Sequence, residues 1–181
     1  MTNEDDRARL RSYLVAQTEK YDLVDLWPRV VGQRLAFLQA LDGVTEEQAR
    51  WRPPTGEGED AWSILEVTQH LAGWTDNVLG IVRGMSGGPP GEKLPVGHLD
   101  ADDGKTLAQA RRELTRASMR LAEAMSTDEA TVDLGQTVEH ALFGPLNARG
   151  WLLFQRIHDT DHVSQVERLK QTDGFPASPA R

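Results

Sequence analysis

The chain has 181 residues, a formal net charge of −8 and a pI of about 5.1. Its length suits one domain with a real hydrophobic core, and the acidic balance argues against a nucleic-acid partner. No apolar run approaches the ~20 residues that a membrane span needs, so no membrane association is expected. The sequence contains no cysteine, which excludes disulfides, thiolate metal sites and a cysteine nucleophile. Any thiol chemistry must therefore use a second molecule.

The N-terminal part of the chain predicts a helical arm. Its first residues are acidic and lack the basic and apolar regions of a signal peptide, so a cytoplasmic location is expected. A short helix is predicted over about residues 3–17, within an arm of residues 1–26. The second helix is predicted to run from near Trp27-Pro28 to Asp42-Gly43. Proline is tolerated at the start of a helix, where its missing N–H has no partner to lose. The apolar face predicted for this second helix consists of Val31, Leu35 and Leu38. A capping box at Thr45–Gln48 then opens a brief helical turn, and residues 56–60 are predicted as loop.

The third predicted helix has the clearest start in the chain. Ser63 and Glu66 form a capping box, and Trp62 can pack on Val67 as a hydrophobic staple. The spacing of its apolar residues alternates between three and four, which is typical of a seam between packed helices. These residues are Ile64, Val67, Leu71, Trp74, Val78, Ile81 and Met85.

The second half of the chain predicts two more helices. Residues 86–103 are rich in Gly and Pro and too long for a tight hairpin, which indicates a crossover. The fourth helix repeats the seam in Leu107, Ala110, Leu114, Ala117, Leu121 and Ala124. Residues 126–144 are predicted as loop with no convincing strand pair, the last helix runs from about residue 147 to 171, and residues 173–181 form a mobile tail. The fold class is therefore all-α: a four-helix bundle over residues 27–172, with a long crossover between its second and third helices.

Two histidines interrupt the apolar stripe of the last helix. Its members Phe154, His158, His162, Gln165 and Leu169 are spaced by four, four, three and four residues, so they share one face. Buried imidazole rings need polar partners, and one metal ion can be bound by both rings. Two interpretations stay open, because paired histidines four residues apart are common and can be satisfied core residues. The residue after His158 is aspartate, so the pair is not a metalloprotease signature.

A third histidine, His70, lies at the rim of the seam on a different helix, and two ligands from one helix with one from a neighbour is a natural site in a bundle. His98 and His140 are predicted to be loop residues, although either could line the mouth of a cleft. Among the neighbouring polar residues, Glu66 is mainly a cap. Asp161 can either orient a ring N–H or be solvated. Gln165 can hydrogen-bond a metal-bound water or a substrate.

Three segments resemble the DinB/YfiT-like superfamily: LDGVTEEQARWRP (41–53), WSILEVTQHLAGW (62–74) and HDTDHVSQV (158–166). The resemblance covers roughly residues 27–171. It implies a four-helix bundle, often a homodimer, and a metal site formed by His70, His158 and His162. Zinc or nickel are the first candidates for the ion, and iron or manganese are alternatives.

The resemblance also implies a range of functions. Some members of the superfamily are transferases or isomerases that use low-molecular-weight thiols such as mycothiol or bacillithiol. The leading hypothesis is a metal-dependent transferase that activates such a thiol for attack on an electrophilic small molecule. The alternatives are a metal-dependent hydrolase, a non-enzymatic metal-binding stress-response protein, and a bundle with three satisfied core histidines and no metal. Whether the protein is an enzyme stays open at this point.

Overall fold

The structure is a computed structural model that describes residues 4–89, 98–99, 101–127 and 133–178. Its helices and strands follow in chain order: α1 (Glu4–Lys20), α2 (Leu23–Ala40), α3 (Glu46–Arg50), a 3₁₀ helix (Gly58–Ala61), α4 (Ile64–Met85), α5 (Leu107–Thr127), β1 (Val138–His140), β2 (Gly144–Leu146) and α6 (Ala148–Gln171).

Four of these helices form a bundle. Helix α4 packs against α5 and α6, and α2 packs against the same two, so each bundle helix has two neighbours. Helix α1 lies against α6 as an added element. The buried side chains form two apolar clusters within this arrangement. The predicted all-α four-helix bundle is therefore confirmed. Within the described part of the chain, no helix is long and apolar enough to cross a membrane.

Helix α4 forms as its sequence predicts. The Ser63 Oγ accepts the Glu66 N–H at 3.3 Å, and the Glu66 Oε2 accepts the Ser63 N–H at 2.9 Å, which completes the capping box. All seven predicted seam residues, from Ile64 to Met85, are buried. The seam of α5 is also buried from Leu107 to Leu121. The buried faces of α4 and α5 therefore both point into the interior of the bundle.

The predictions for α2 are wrong in two respects. The helix begins at Leu23, so Pro28 lies inside it rather than at its start. The buried contacts of Leu23 and Leu26 extend the helix past a residue that removes a backbone hydrogen bond. Its predicted face is also displaced, because Leu35 is 52% exposed. The core face instead contains Leu23, Leu26, Val30, Arg34 and Phe37.

A short antiparallel strand pair precedes α6, which corrects the prediction that the chain has no strand pair. Val138 pairs with Leu146 and His140 pairs with Gly144. Gly144 has a φ of 72°, a left-handed conformation that favours glycine and closes the hairpin. Each strand has only three residues, which is too short for an alternating pattern to be recognised in the sequence. The hairpin places His140 beside the bundle.

Polar and aromatic contacts join loop and C-terminal residues to the rest of the protein. The predicted crossover, residues 86–103, lies partly outside the described residues. Its Asp102 exchanges two backbone hydrogen bonds with the Gln69 side chain, at 2.8 and 3.0 Å. In the C-terminal segment, Phe175 packs edge-on against Trp51, and the Pro176 carbonyl accepts a hydrogen bond from Gln48 at 2.8 Å. Residues 175 and 176 therefore contact α3 and the residue that follows it. The division into arm, bundle and tail stays a prediction.

Candidate metal centre

The three histidines singled out in the sequence meet inside the bundle. His158 Nε2 lies 2.9 Å from His70 Nε2 and 3.1 Å from His162 Nε2. One ligand atom from each ring falls within 4.8 Å of the others. His70 comes from α4, while His158 and His162 lie one turn apart on α6. Asn147 is the N-cap of α6, and its Oδ1 accepts a hydrogen bond from the Gly150 N–H at 2.9 Å. We call these three histidines the triad.

Hydrogen bonds at the far side of two triad rings determine which nitrogen carries the proton. His70 Nδ1 lies 2.6 Å from the His98 carbonyl oxygen, and His162 Nδ1 lies 2.7 Å from Gln165 Oε1. Both partners are acceptors, so each Nδ1 must be the donor. The Nε2 atoms of His70 and His162 therefore carry lone pairs directed at His158. This is the tautomer that metal-ligating histidines adopt when the other nitrogen is hydrogen-bonded.

The third ring cannot satisfy its polar atoms within the described part of the chain. His158 Nδ1 is buried and has no hydrogen-bond partner there. If Nδ1 carries the proton, three Nε2 lone pairs face one another without a shared proton. If Nε2 carries it, Nδ1 lacks a donor. A cation among the three Nε2 atoms removes the lone-pair repulsion of the first arrangement. The donor set therefore fits a divalent ion, and three imidazole ligands are typical of catalytic rather than structural zinc sites.

Burial keeps the triad in the neutral state that can bind a metal. It lowers the pKa of His70 to about 4 and that of His162 to about 3. The pKa of His158 is also lowered well below its ordinary value, first by burial and then by the two neighbouring histidines. Since all three rings are neutral at pH 7, no proton has to leave before an ion can bind.

The other three predicted site residues, Gln165, Glu66 and Asp161, differ in how they relate to the triad. Gln165 is buried beside the triad and accepts the His162 ring proton. Glu66 uses its two oxygens for the α4 cap and for Arg52, 2.6 Å away, so its position is structural. Asp161 lines the same cavity as the triad but makes no hydrogen bond to a histidine ring within the described residues. Burial raises the pKa of its carboxyl.

Arg34 and Asp159 form a buried ion pair that the sequence analysis missed. The Arg34 guanidinium donates to both Asp159 oxygens, at 2.8 and 2.9 Å. It also donates to Ser118, Thr75 and Gln155. The arginine of α2 thus contacts α4, α5 and α6, and its carboxylate partner directly follows His158. The sequence does contain a signal for this pair: Arg34 lies between Val30 and Phe37, at the spacing of the apolar residues on one face of α2.

A cavity of about 180 Å³ opens beside the triad. Its apolar wall consists of Leu10, Trp74, Leu142, Phe143, Phe154 and Ile157, and its carboxylates are Glu59, Asp60 and Asp161. His140 lies in β1 rather than in a loop, is 3% exposed and lines this cavity, which agrees with the alternative that it lines a cleft. The strand pair encloses it among aromatic rings. The backbone carbonyl of His98, the other predicted loop histidine, accepts from His70.

Removing the acceptor at His162 is expected to weaken metal binding without removing a ligand. In a Gln165→Leu variant, the His162 Nδ1–H loses its partner, so the ring no longer holds one tautomer and orientation. We expect the zinc dissociation constant to rise roughly 10- to 100-fold, measured by competition with a chromophoric chelator. A Gln165→Glu variant keeps an acceptor at this position and serves as the matched control. Equal affinities for Gln165→Leu and the unchanged protein would contradict the assigned tautomer.

Comparisons with known proteins agree with this architecture. The DinB superfamily model matches residues 30–166. The fold resembles a solved structure described as "TT2238, a four-helix bundle protein", with a TM-score of 0.61 and 22% sequence identity. That match covers 81% of this chain and 98% of the other, and it supports the fold alone. No curated protein gives a significant match. Because the family model spans well over half of the sequence and includes all three triad histidines, the chain belongs to the DinB superfamily.

Proposed function

We propose that this protein binds one divalent metal ion at the triad and uses it in a transfer reaction with an external thiol. The observation that carries the proposal is the convergence of three neutral Nε2 atoms, two of them with their tautomers fixed by His98 and Gln165. Zinc or nickel are the first candidates, since imidazole ligands suit both. A divalent ion at such a site lowers the pKa of a bound thiol or water, so that a nucleophile forms near neutral pH.

The remaining residues of the site suit a small, largely apolar reactant. Trp74, Phe143 and Phe154 form an aromatic wall of the cavity beside the triad. The cavity of about 180 Å³ is smaller than the roughly 300–1,000 Å³ of pockets for drug-sized ligands. It suits a small electrophile or the reactive end of a longer molecule. A thiol must come from outside the protein, because the sequence contains no cysteine.

Thiol conjugation by the metal-loaded protein tests the transferase proposal. The zinc- and nickel-loaded forms are incubated with mycothiol, bacillithiol or glutathione and a panel of small electrophiles, and thioether products are measured by mass spectrometry. We expect thiol-dependent turnover that disappears in a His158→Ala, His162→Ala variant. Turnover at the same rate in that variant, or none with any thiol in the loaded protein, contradicts the transferase proposal.

A metal-dependent hydrolase is the second candidate, and the carboxylates beside the cavity favour it. Burial raises the pKa of Glu59, with further contributions from the nearby Asp60 and Asp161. A carboxyl group whose pKa is raised is a better proton acceptor for an attacking water. Turnover of ester or amide substrates without any thiol, reduced in a Glu59→Gln variant, would select this function over the transferase.

A further inference from the structure

His140 and Trp74 line the cavity, and each side chain has a buried N–H donor. The backbone N–H of Leu142 donates to His140 Nδ1 at 3.1 Å, so that nitrogen carries the lone pair and Nε2 carries the proton. His140 Nε2 is buried and has no hydrogen-bond partner in the described part of the chain. The same is true of Trp74 Nε1, which can act only as a donor. Both side chains line the cavity and are more than nine-tenths buried.

These donors belong to the same wall as the triad. The rings of Trp74 and His140 are 6.4 Å apart, and Trp74 also lies 5.4 Å from His158. The centroid of the Phe154 ring lies 4.4 Å from that of His140 and 5.4 Å from that of His158. The rings of Trp74, His140 and His158 therefore lie close together along this cavity. A buried donor without an acceptor costs roughly 1–3 kcal/mol, so an oxygen supplied by a ligand is favoured there.

The surrounding charges favour a neutral ligand. Glu59, Asp60 and Asp161 line the cavity, and their carboxylates disfavour an anion. The only lining cation among the described residues is Arg168, 3.9 Å from Asp60. His140 itself is a neutral donor, because protonation of Nδ1 would break its bond with Leu142. An aldehyde, ketone, ester or amide carbonyl fits these conditions.

We propose that His140 and Trp74 bind the carbonyl oxygen of a small neutral substrate through their Nε2–H and Nε1–H groups. The inference deepens the proposed function, since it identifies the substrate class of the same cavity. The two hydrogen bonds need no metal ion, so they can be measured whether or not the triad binds one. His140 is then a substrate-binding residue rather than part of the aromatic packing alone.

Two probes of matched shape test the proposal. Cyclohexanone and methylenecyclohexane differ only in a carbonyl oxygen against a methylene group. Their binding to metal-free and zinc-loaded protein is measured by ligand-observed NMR. We expect the metal-free protein to prefer cyclohexanone by roughly fivefold for each hydrogen bond. A His140→Phe variant keeps the aromatic ring, and should lose about fivefold in cyclohexanone affinity with methylenecyclohexane unchanged. Met119→Ala, at a side chain 66% exposed on α5, is the control that keeps the full preference.

A second measurement does not depend on the folding of the variant. In the ¹⁵N-labelled wild-type protein, cyclohexanone should shift the His140 Nε2–H resonance downfield, and methylenecyclohexane should not. Equal binding of the two probes, no binding of either up to its solubility, or an unshifted His140 resonance each overturns the proposal. A carbonyl preference that appears only with zinc and persists in His140→Phe identifies binding to the ion and also overturns it. Loss of metal binding with an intact preference in metal-free protein contradicts only the proposed function.

Discussion

Replacing His158 and His162 with alanine is expected to abolish retention of metal by the purified protein. The unchanged protein should carry about one divalent ion per chain, because three neutral imidazoles form a complete protein ligand set. The double variant keeps only His70, and one imidazole cannot hold the ion through purification. Elemental analysis by mass spectrometry measures the content directly. Thermal unfolding gives a second readout, since free zinc at 100 times its dissociation constant stabilises the native state by about 2.7 kcal/mol.

His98→Ala is the matched control for this experiment. It also removes one histidine side chain, but it leaves the backbone carbonyl that accepts from His70 in place. Its metal content should equal that of the unchanged protein. Equal metal content in the control and in the double variant would remove the assignment of the triad as a metal site, and the hypothesis of three satisfied core histidines would then be preferred.

The second large effect is expected at Arg34, which should be essential for stability. An Arg34→Ala variant leaves the Asp159 carboxylate buried without its partner, at 0% exposure. Breaking a buried pair in this way costs about 3–5 kcal/mol. The melting temperature of a domain of this size should fall by about 2–4 °C for each kcal/mol. Chemical denaturation followed by circular dichroism measures the loss in the free energy of unfolding.

Two further variants separate burial from charge pairing. Arg120 also donates to both oxygens of its partner, Asp76, but at the surface, where both side chains are nearly half exposed. Arg120→Ala should therefore cost less than about 1 kcal/mol. The double variant Arg34→Met, Asp159→Leu removes both buried charges together and should recover most of the lost stability. Similar losses for Arg34→Ala and Arg120→Ala would show that burial of the pair contributes nothing.

The sequence was sufficient to predict α4, α5, α6 and the triad, because these depend on regular spacing. Seven apolar residues at intervals of three and four predicted the buried face of α4, and the capping box predicted its first turn. His158 and His162 were recognised because they interrupt an apolar stripe. His70 was recognised through the motif in which it lies, since a single histidine at the edge of a seam has no distinctive period.

Residues whose environment comes from distant parts of the chain were not predictable in this way. The ion-pair partner of Arg34 is 125 residues away in the sequence. A charged residue without a visible partner was not expected in the core, so the buried face of α2 was predicted to contain Leu35 instead. His140 looked like a loop residue because the strands around it have only three residues each. Its burial and its unpartnered nitrogen depend on rings from α4 and α6 that only the folded structure brings together.

The Arg34 guanidinium is bonded to groups on α4, α5 and α6, including Asp159, the residue next to His158. These bonds bear on whether the metal ion is needed to assemble the site. In small zinc domains the ion supplies the free energy of folding, so binding and folding are one event. Here the four helices are joined by a polar cluster and two apolar clusters made entirely of protein groups. The triad is thus preorganised by the scaffold, and chelation should empty it without denaturing the bundle. Ion exchange at this centre is then a question of access and affinity, separate from folding.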